Sequence, residues 1–523
     1  MVFRLKDYFF NHRFLFVAII CYAISFGLNI FNDGIYWDDW PTYFNTKAQV
    51  LNSGREIGIA WASHLAYFFR QNDIIFLRLT TFACFLIPIV CIYKIGESIP
   101  EIDSQTRFLT TLFFGILPFN HARIVLSTVH YSVCYLMFFL AFWILSRYLK
   151  EKKLFLRVIA LGLFFFSFFT NSFLVFFTLV VMYIAYVEGL KELLPLSLRQ
   201  IGRTLSYADF ICLPFLFFML RNIYWTPHGA YAAYNQISLA NLLNTPALVS
   251  ATVLGSFGNL IIRPLPFSHP GIFLAVFTGL WLTVIRIKDP VPTVQSFSRN
   301  LLFFAGGIFT LFLGCMAYYA VGLNPSLTDW SSRHQLLMSL GTSIGLAYGL
   351  KTIFDLINPP AAIQSGLWAF LATFCILYNV EIALSFHKDW MKQEAIMQYF
   401  VQSETIRQNS TFLVEDHTFF LNANRREYRD YEYAGMFKKV FGDEKRFATS
   451  IERFDQNKDY RLEKILNRGF TLWNGTPPGH LIQIRLNHDV DAWKVTMATI
   501  FDRTAYGRFL KNLLIITVRP IEK

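Results

Sequence analysis

The sequence has little charge for its length. Of its 523 residues, 16% are Asp, Glu, Lys or Arg, and 54% are hydrophobic. A soluble domain carries about a quarter charged residues, so this shortage predicts a protein that lies in a lipid bilayer. The shortage ends at one point, because residues 1–384 contain 42 charged side chains and residues 385–523 contain 40. The sequence therefore predicts a transmembrane domain over 1–384 and a soluble domain over 385–523.

Several features that identify common protein classes are missing. All seven cysteines lie in apolar segments, and none follows Cys375, so neither disulfides nor Cys-based metal sites are expected. The chain contains no Walker loop, no glycine-rich dinucleotide turn and no nucleophile elbow. The net charge of +12 comes largely from Lys and Arg at the ends of apolar segments, with no basic run that includes aromatic residues. This pattern argues against a nucleic-acid partner.

Eight apolar segments are long enough to cross a bilayer. They lie near residues 14–31, 74–95, 131–149, 207–225, 270–287, 300–322, 335–354 and 364–384. Residues 107–120 add one short helix, and residues 154–187 add a tight hairpin of two. The sequence thus predicts a mainly α-helical, polytopic bundle of about 11 spans, whose first helix is retained and is not a signal peptide.

Residues 246–264 leave two topologies open, because this apolar segment either spans the membrane or lies in the interface. With an interfacial helix and a cytoplasmic N-terminus, the inner loops hold 17 Lys and Arg, and the outer face of the membrane domain keeps 8. The positive-inside rule favours this arrangement. It places the C-terminal domain outside the cytoplasm, on the outer face of a plasma (inner) membrane.

The outer side then carries two long loops, 32–73 and 226–269. The first contains two amphipathic stretches, 41–53 and 57–72, which Gly54 separates. In the C-terminal part, a helix over 388–408 and strand-like segments at 411–415, 480–486 and 513–519 predict a small α+β domain.

An acidic pair follows the first helix, in the segment Tyr36-Trp37-Asp38-Asp39-Trp40. Carboxylates between interface-seeking Trp residues are held where a lipid head group would lie. Adjacent residues point in different directions, so at most one Asp faces a reacting centre. We interpret the pair as catalytic and the aromatic residues as part of a donor or acceptor site. The alternative is a solvated turn in which Asp39 caps the next helix.

Three more polar residues are candidates for an outer site. Arg333 and His334 begin the span near 335, where two donors and a helix terminus suit a phosphate. Arg123, in the turn after residues 107–120, is a candidate for a second phosphate donor. The alternative for each arginine is an interface anchor. His64, on the first outer loop, is either part of the donor or acceptor site or an interface residue.

This layout resembles the membrane glycosyltransferases of the GT-C fold, which take sugars from polyprenyl-phosphate carriers. The resemblance is carried by the acidic pair in the first outer loop, the segments Leu117–Arg123 and Leu260–Ser268, the turn Ser332–His334, and the C-terminal domain. It implies an inverting transfer in which Asp38 or Asp39 is the general base. It also implies that Arg333, His334 and Arg123 bind the carrier phosphate. A divalent cation such as Mg²⁺ or Mn²⁺ is compatible with this family, but no metal ligands are assigned.

The leading hypothesis is therefore a glycosyltransferase that modifies a cell-envelope glycan, lipid or protein. No second acidic motif of the oligosaccharyltransferase kind is present, which disfavours transfer of a whole oligosaccharide to asparagine. The aromatic residues of the C-terminal domain either present the acceptor or form that domain's core: Tyr428, Tyr431, Tyr433, Trp473 and Trp493. The alternatives are a transporter or flippase of a lipid-linked glycan, and a membrane-anchored scaffold. Few mid-span charges and no internal repeat favour the enzyme.

Overall fold

The structure is a computed structural model, which describes most of the chain. The described residues are 12–40, 46–71, 73–188, 205–232, 236–262, 270–286, 297–326, 330–442, 445–456, 473 and 476–521.

The membrane domain is a bundle of helices, and each predicted span coincides with one of them. The α-helices of this part are Arg13–Phe26, Lys47–Ile57, Ala60–Gln71, Ile74–Glu97, Ser104–Ile116, Val129–Glu151, Leu154–Ser167, Ser172–Phe176, Thr178–Val187, Ala208–Tyr224, Leu239–Ile262, Pro270–Ile285, Phe297–Tyr319, Met338–Ile357 and Ala361–Gln402. Short 3-10 helices lie at Gly27–Phe31, His121–Ile124, Leu126–Thr128, Gly229–Tyr231 and Trp330–Gln335.

These helices identify a multi-pass membrane protein. Five of the described helical segments are long and apolar enough to cross a membrane: Arg13–Phe31, Ile74–Glu97, Leu126–Glu151, Phe297–Tyr319 and Ala361–Gln402. Shorter apolar helices lie at Leu154–Ser167, Ser172–Val187 and Pro270–Ile285. The mainly helical fold class is confirmed, and the number of 11 spans stays a prediction.

The first outer loop differs from its prediction at one glycine. Its two helices, Lys47–Ile57 and Ala60–Gln71, are separated at Gly58 and not at Gly54. Gly58 has φ of +83°, a conformation that ends a helix readily only when no Cβ is present. Gly54 lies inside the first helix, where a Cβ would come within 1.6 Å of the Ser63 hydroxyl. Gly54, which was predicted to separate the two helices, is therefore a point of contact between them.

The segment predicted to lie in the interface belongs to a longer helix that begins at Leu239. The first half of this helix stays beside the end of the helix Phe297–Tyr319. The N–H of Ser238 donates to the carbonyl of Ala320 (3.0 Å), and the Tyr319 hydroxyl donates to the carbonyl of Leu248 (3.1 Å). Residues 263–269, which follow it, lie outside the described residues. The interfacial orientation stays a prediction.

The last membrane helix continues into the C-terminal domain without a break. Ala361–Gln402 has 42 residues, so it is about 63 Å long at 1.5 Å per residue. The predicted domain boundary at residue 384 therefore lies inside a helix. The predicted helix over 388–408 is the second half of Ala361–Gln402 followed by the short helix Glu404–Gln408.

The C-terminal domain is built on a four-stranded sheet. Its strands are β1 Thr411–Asp416, β2 Phe447–Ser450, β3 His480–Leu486 and β4 Leu514–Pro520, in the order β2-β1-β3-β4. β1 pairs in parallel with both β2 and β3, and β3 pairs antiparallel with β4. Helices at Asp430–Phe441, Ile451–Gln456, Ala492–Phe501 and Arg503–Leu513 complete it, with 3-10 turns at Phe419–Leu421 and Ala423–Arg425. The α+β prediction is confirmed for three strands, and the short strand β2 was missed.

The two domains share a hydrophobic core. Trp40 of the first loop packs with Leu126 of the membrane domain and with Met436 and Phe437 of the C-terminal domain. The contact is close, because a Cβ on Gly435 would lie 2.6 Å from the Trp40 indole. Trp40, in the loop that follows the first helix, is thus held between the bundle and the C-terminal domain.

Candidate functional site

The backbone makes a turn at Trp37, just before the two aspartates. This residue has φ of +49°, an uncommon conformation for a bulky side chain, and it is buried. The N–H of Asp39 donates to the carbonyl of Tyr36 (3.0 Å), and the N–H of Trp40 donates to the carbonyl of Trp37 (3.2 Å). The turn leaves Asp38 exposed and Asp39 buried. The two carboxylates therefore have different surroundings.

Asp39 joins the first outer loop to the turn before the helix Val129–Glu151. The N–H groups of Leu126 and Ser127 donate to its two carboxylate oxygens, each at 2.7 Å. Its side chain is 1% exposed, and this burial raises its pKa to about 6, although the two N–H donors act in the opposite direction. Both oxygens of Asp39 are thus engaged by the protein. The alternative of a solvated turn does not describe this residue.

Arg78 holds the same loop from the other side. Its guanidinium donates to the carbonyls of Asn32 (3.1 Å) and Gly34 (2.8 Å), and the side chain is buried. The sequence shows an arginine near the end of a span, where an interface anchor is the ordinary interpretation. Its role in shaping the acidic loop was not predicted.

Charges of arginines from two distant parts of the chain act on Asp38. Many protein atoms surround its exposed side chain, and this desolvation raises its pKa, while the positive charges of Arg333, Arg429 and Arg426 oppose the shift. Arg333 belongs to the membrane domain, and the other two arginines belong to the C-terminal domain. Of the predicted phosphate donors, Arg333 is the one whose charge acts on Asp38.

Arg333 is held in place by Trp330. Its guanidinium lies 4.1 Å from the centre of the Trp330 ring, and it donates to the carbonyl of that residue at 2.9 Å. Trp330 in turn packs against Trp37, with ring centroids 6.1 Å apart. The arginine is partly exposed, so it keeps donors that can reach a ligand.

His334 is placed differently from Arg333. Its ring is buried against Tyr318, with centroids 5.2 Å apart. Burial lowers its pKa to about 3, and the charge of Arg333 lowers it further, although a hydrogen bond to the backbone of Asn324 acts in the opposite direction. At neutral pH the imidazole therefore carries no charge. The ring is buried whereas Arg333 is partly exposed, and its phosphate-binding role stays a prediction.

Arg123 points into the helix bundle. It donates to the carbonyls of Asn120 (3.1 Å) and Phe119 (2.8 Å), and its guanidinium lies about 4 Å from the rings of Phe26 and Phe85. It also lines a small cavity with Tyr135. The structure therefore does not bring Arg123 together with Arg333, and its phosphate-binding role stays a prediction.

The C-terminal domain contributes a loop, residues 417–429, that follows β1. Arg426 forms two hydrogen bonds with the buried Glu432 (2.5 and 2.6 Å), and its guanidinium lies 4.9 Å from the Trp37 ring. Arg429 is exposed beside it. Sequence reasoning missed both arginines, although the run Arg425-Arg426-Glu427-Tyr428-Arg429 is a visible basic cluster.

The buried lysine of the long helix positions this loop. Lys392 is 0% exposed and donates to the Asp416 carboxylate (2.6 Å), the Thr418 carbonyl (3.1 Å) and the Asn422 side chain (2.7 Å). The Asp389 carboxylate accepts from the N–H of Ala423 at 2.8 Å. The carboxyl edge of a parallel sheet is where ligands commonly bind. Here that edge is docked on the membrane helix, and Arg426 of its loop lies 4.9 Å from the ring of Trp37, the residue before Asp38.

Most of the predicted aromatic site residues are buried. Tyr36 and Trp40 are 0% and 1% exposed, and Trp37 is 5% exposed. The Tyr36 hydroxyl donates to the carbonyl of Phe386 at 2.7 Å. These three residues form the support of the acidic loop, whereas His64 is exposed on the helix Ala60–Gln71.

The aromatic residues of the C-terminal domain divide in the same way. Tyr428, Tyr433 and Trp473 are buried, so they belong to that domain's core. Tyr431 is partly exposed and lies within electrostatic range of Asp38. Among the residues that the structure describes, no group of three or more His, Cys, Asp or Glu side chains is placed to hold a metal ion.

No family model and no curated protein matches the chain. Among solved structures, it is similar to the archaeal oligosaccharyltransferase AglB from Archaeoglobus fulgidus, in complex with an inhibitory peptide and a dolichol-phosphate. The match has 11% sequence identity and a TM-score of 0.38, and it covers 94% of this chain and 71% of that chain. That enzyme has the GT-C fold that the sequence resembles.

Proposed function

We propose that this chain is a membrane glycosyltransferase that moves a sugar from a polyprenyl-phosphate carrier to a hydroxyl of a cell-envelope glycan, lipid or protein. The observation that carries the proposal is the exposed carboxylate of Asp38, on which the charges of Arg333 and Arg429 act, while both oxygens of Asp39 are engaged by backbone N–H groups. A base and positive donors on one surface are what displacement of a sugar phosphate requires.

In the proposed reaction, Asp38 takes the proton of the acceptor hydroxyl. The acceptor oxygen forms a bond to the anomeric carbon as the bond from that carbon to the phosphate oxygen breaks. The polyprenyl phosphate leaves with the bonding electrons, and Arg333 and Arg429 stabilise its increasing negative charge. Attack opposite to the leaving group inverts the anomeric configuration.

We place this site on the extracytoplasmic face. At the opposite end of the bundle, basic residues form ion pairs between helices and loops: Lys351 with Asp103, Arg157 with Asp209 and Lys152 with Glu188. Lys and Arg concentrate on the cytoplasmic side of membrane proteins. The charge distribution supports an outer position for Asp38 and for the C-terminal domain.

Carrier cleavage tests the proposal directly. Purified protein is incubated with a pool of polyprenyl-phosphate hexoses and cell-envelope acceptors, with Mg²⁺, Mn²⁺ or a chelator. A glycosyltransferase releases free polyprenyl phosphate and adds sugar to an acceptor. If reconstituted protein instead moves intact carrier across a liposome bilayer without cleaving it, the chain is a transporter and the proposal is wrong.

Removing the charge of Arg333 is expected to weaken binding of the carrier phosphate. A charge-assisted hydrogen bond contributes about 1.5–3 kcal/mol, so Arg333→Gln should raise the inhibition constant of free polyprenyl phosphate by about 10- to 100-fold. Arg147→Gln is the matched control, because Arg147 forms an exposed ion pair with Glu151 near the opposite end of the bundle. Equal inhibition constants for the two variants would show that Arg333 does not bind the phosphate.

A further inference from the structure

His130 lies beside the turn that binds Asp39. The backbone of Ser127 connects the two residues, because its N–H donates to Asp39 and its carbonyl lies 3.0 Å from Nδ1 of His130. A carbonyl oxygen only accepts hydrogen bonds, so Nδ1 carries the proton. The Ser127 carbonyl therefore selects the tautomer of this imidazole.

The selected tautomer leaves Nε2 of His130 with a free lone pair. In the neutral ring, the nitrogen without a proton is an acceptor. Within the part of the chain that the structure describes, Nε2 has no hydrogen-bond partner, and the ring is only partly buried. This atom can therefore accept a hydrogen bond from a bound molecule.

His130 is connected to the acidic loop through Ser127. The positive charge of Arg333 acts on both His130 and Asp38. Ser127 also fixes the distance between His130 and the acidic loop, since both of its backbone groups are used. The imidazole is therefore held beside the loop that carries Asp38.

We propose that His130 binds the transferred sugar by accepting a hydrogen bond from one of its hydroxyls at Nε2, an inference that rests on the proposed function. The carrier phosphate is a diester that carries no proton at neutral pH, so it cannot donate to a lone pair. The acceptor hydroxyl gives its proton to Asp38. The donor sugar is attached to the phosphate that Arg333 is proposed to bind, and the charge of Arg333 also acts on His130, so we assign the contact to a hydroxyl of that sugar.

The test compares two substitutions at His130, each of which keeps one of the two hydrogen-bonding groups of the imidazole. His130→Asn retains a donor for the Ser127 carbonyl and loses the acceptor at the Nε2 position, whereas His130→Gln retains an acceptor there. Binding is measured in the Asp38→Asn background, so that no carrier is consumed. The probes are short-chain polyprenyl phosphate and the polyprenyl-phosphate hexose that this background binds most tightly.

The additional substitution His130→Asn should weaken binding of the sugar-bearing carrier by about five- to tenfold and leave binding of polyprenyl phosphate unchanged. His130→Gln should keep most of the affinity. Deoxy analogues of the hexose provide a test without any change at position 130, because the analogue that lacks the contacted hydroxyl should show the same loss. If the His130→Asn variant unfolds, the deoxy analogues alone test whether His130 contacts a sugar hydroxyl.

Other results would overturn the inference. Equal loss for both probes would indicate a contact with the phosphate. Unchanged binding of both probes, together with weaker binding of the acceptor in the same background, would assign the hydroxyl to the acceptor. Uniform affinity across the deoxy analogues would remove the contact altogether. If the wild type binds carriers without cleaving them, the proposed glycosyltransferase function is wrong. The contact between His130 and a sugar hydroxyl can still be tested in that case by binding of the deoxy analogues. If no carrier binds, both fail.

Discussion

Replacing Asp38 with Asn is expected to lower the rate of glycosyl transfer by about 10²- to 10⁴-fold, the usual contribution of a general base. The amide has the shape of the carboxylate but cannot take the acceptor's proton. Because the Asp38 side chain is exposed, thermal unfolding in detergent should stay the same. The measurement is the initial rate of polyprenyl phosphate release, alongside an unfolding curve.

Asp33→Asn is the matched control. This carboxylate lies in the same loop, but the charges of Asp73, Arg78, Arg503 and Lys439 act on it. The transfer rate of that variant should remain that of the wild type. A wild-type rate in Asp38→Asn would contradict the assignment of the base.

The pH dependence of glycosyl transfer should also reflect the ionisation of Asp38. A base acts only when it is deprotonated, so kcat/KM should fall as the pH falls through the pKa of Asp38. That pKa lies above the ordinary value of 3.8 because protein atoms desolvate the carboxyl group. The residual rate of the Asn variant should lack this acid limb.

Replacing Lys392 with Met is expected to destabilise the junction of the two domains by about 3–5 kcal/mol, the usual cost of breaking a buried ion pair. The substitution leaves Asp416, which is 10% exposed, without its positive partner. It also removes the donor that holds Asn422 in the arginine-bearing loop. The thermal midpoint in detergent should fall, and glycosyl transfer should fall with it because the loop that carries Arg426 and Arg429 loses its support.

Lys388→Met is the control on the same helix, one turn earlier. Its partner Asp489 is 58% exposed, and exposed ion pairs contribute no more than about 1 kcal/mol. Adding Asp416→Asn to Lys392→Met should recover part of the lost stability, since it removes the unpaired buried charge. If Lys392→Met and Lys388→Met have the same midpoint, the buried lysine does not hold the junction.

Local patterns in the sequence were sufficient for most of the secondary structure. Apolar runs predicted the membrane helices, and alternation predicted β1, β3 and β4, because both signals come from residues that are neighbours in the chain. β2 was missed because it has only four residues, all of them buried or partly buried. The loop break at Gly58 was missed because both Gly54 and Gly58 permit a break, and the packing of Gly54 against Ser63 decides between them.

The sequence could not show which of Asp38 and Asp39 is exposed, for a similar reason. Two adjacent carboxylates have the same chemistry, and only their neighbours in space differ. The turn at Trp37 and the N–H groups of Leu126 and Ser127 bury one carboxylate and leave the other exposed. Residues nearly 90 positions apart make that distinction.

The sequence by itself determined that this protein is a membrane helix bundle with a C-terminal α+β domain, because hydrophobicity and periodicity act over short stretches of chain. It also located the acidic pair and Arg333. Only the tertiary structure decided which groups meet. It brought Arg426 and Arg429 to Asp38 and moved His334 and Arg123 into the core, because long-range packing determines which side chains stay in contact with solvent.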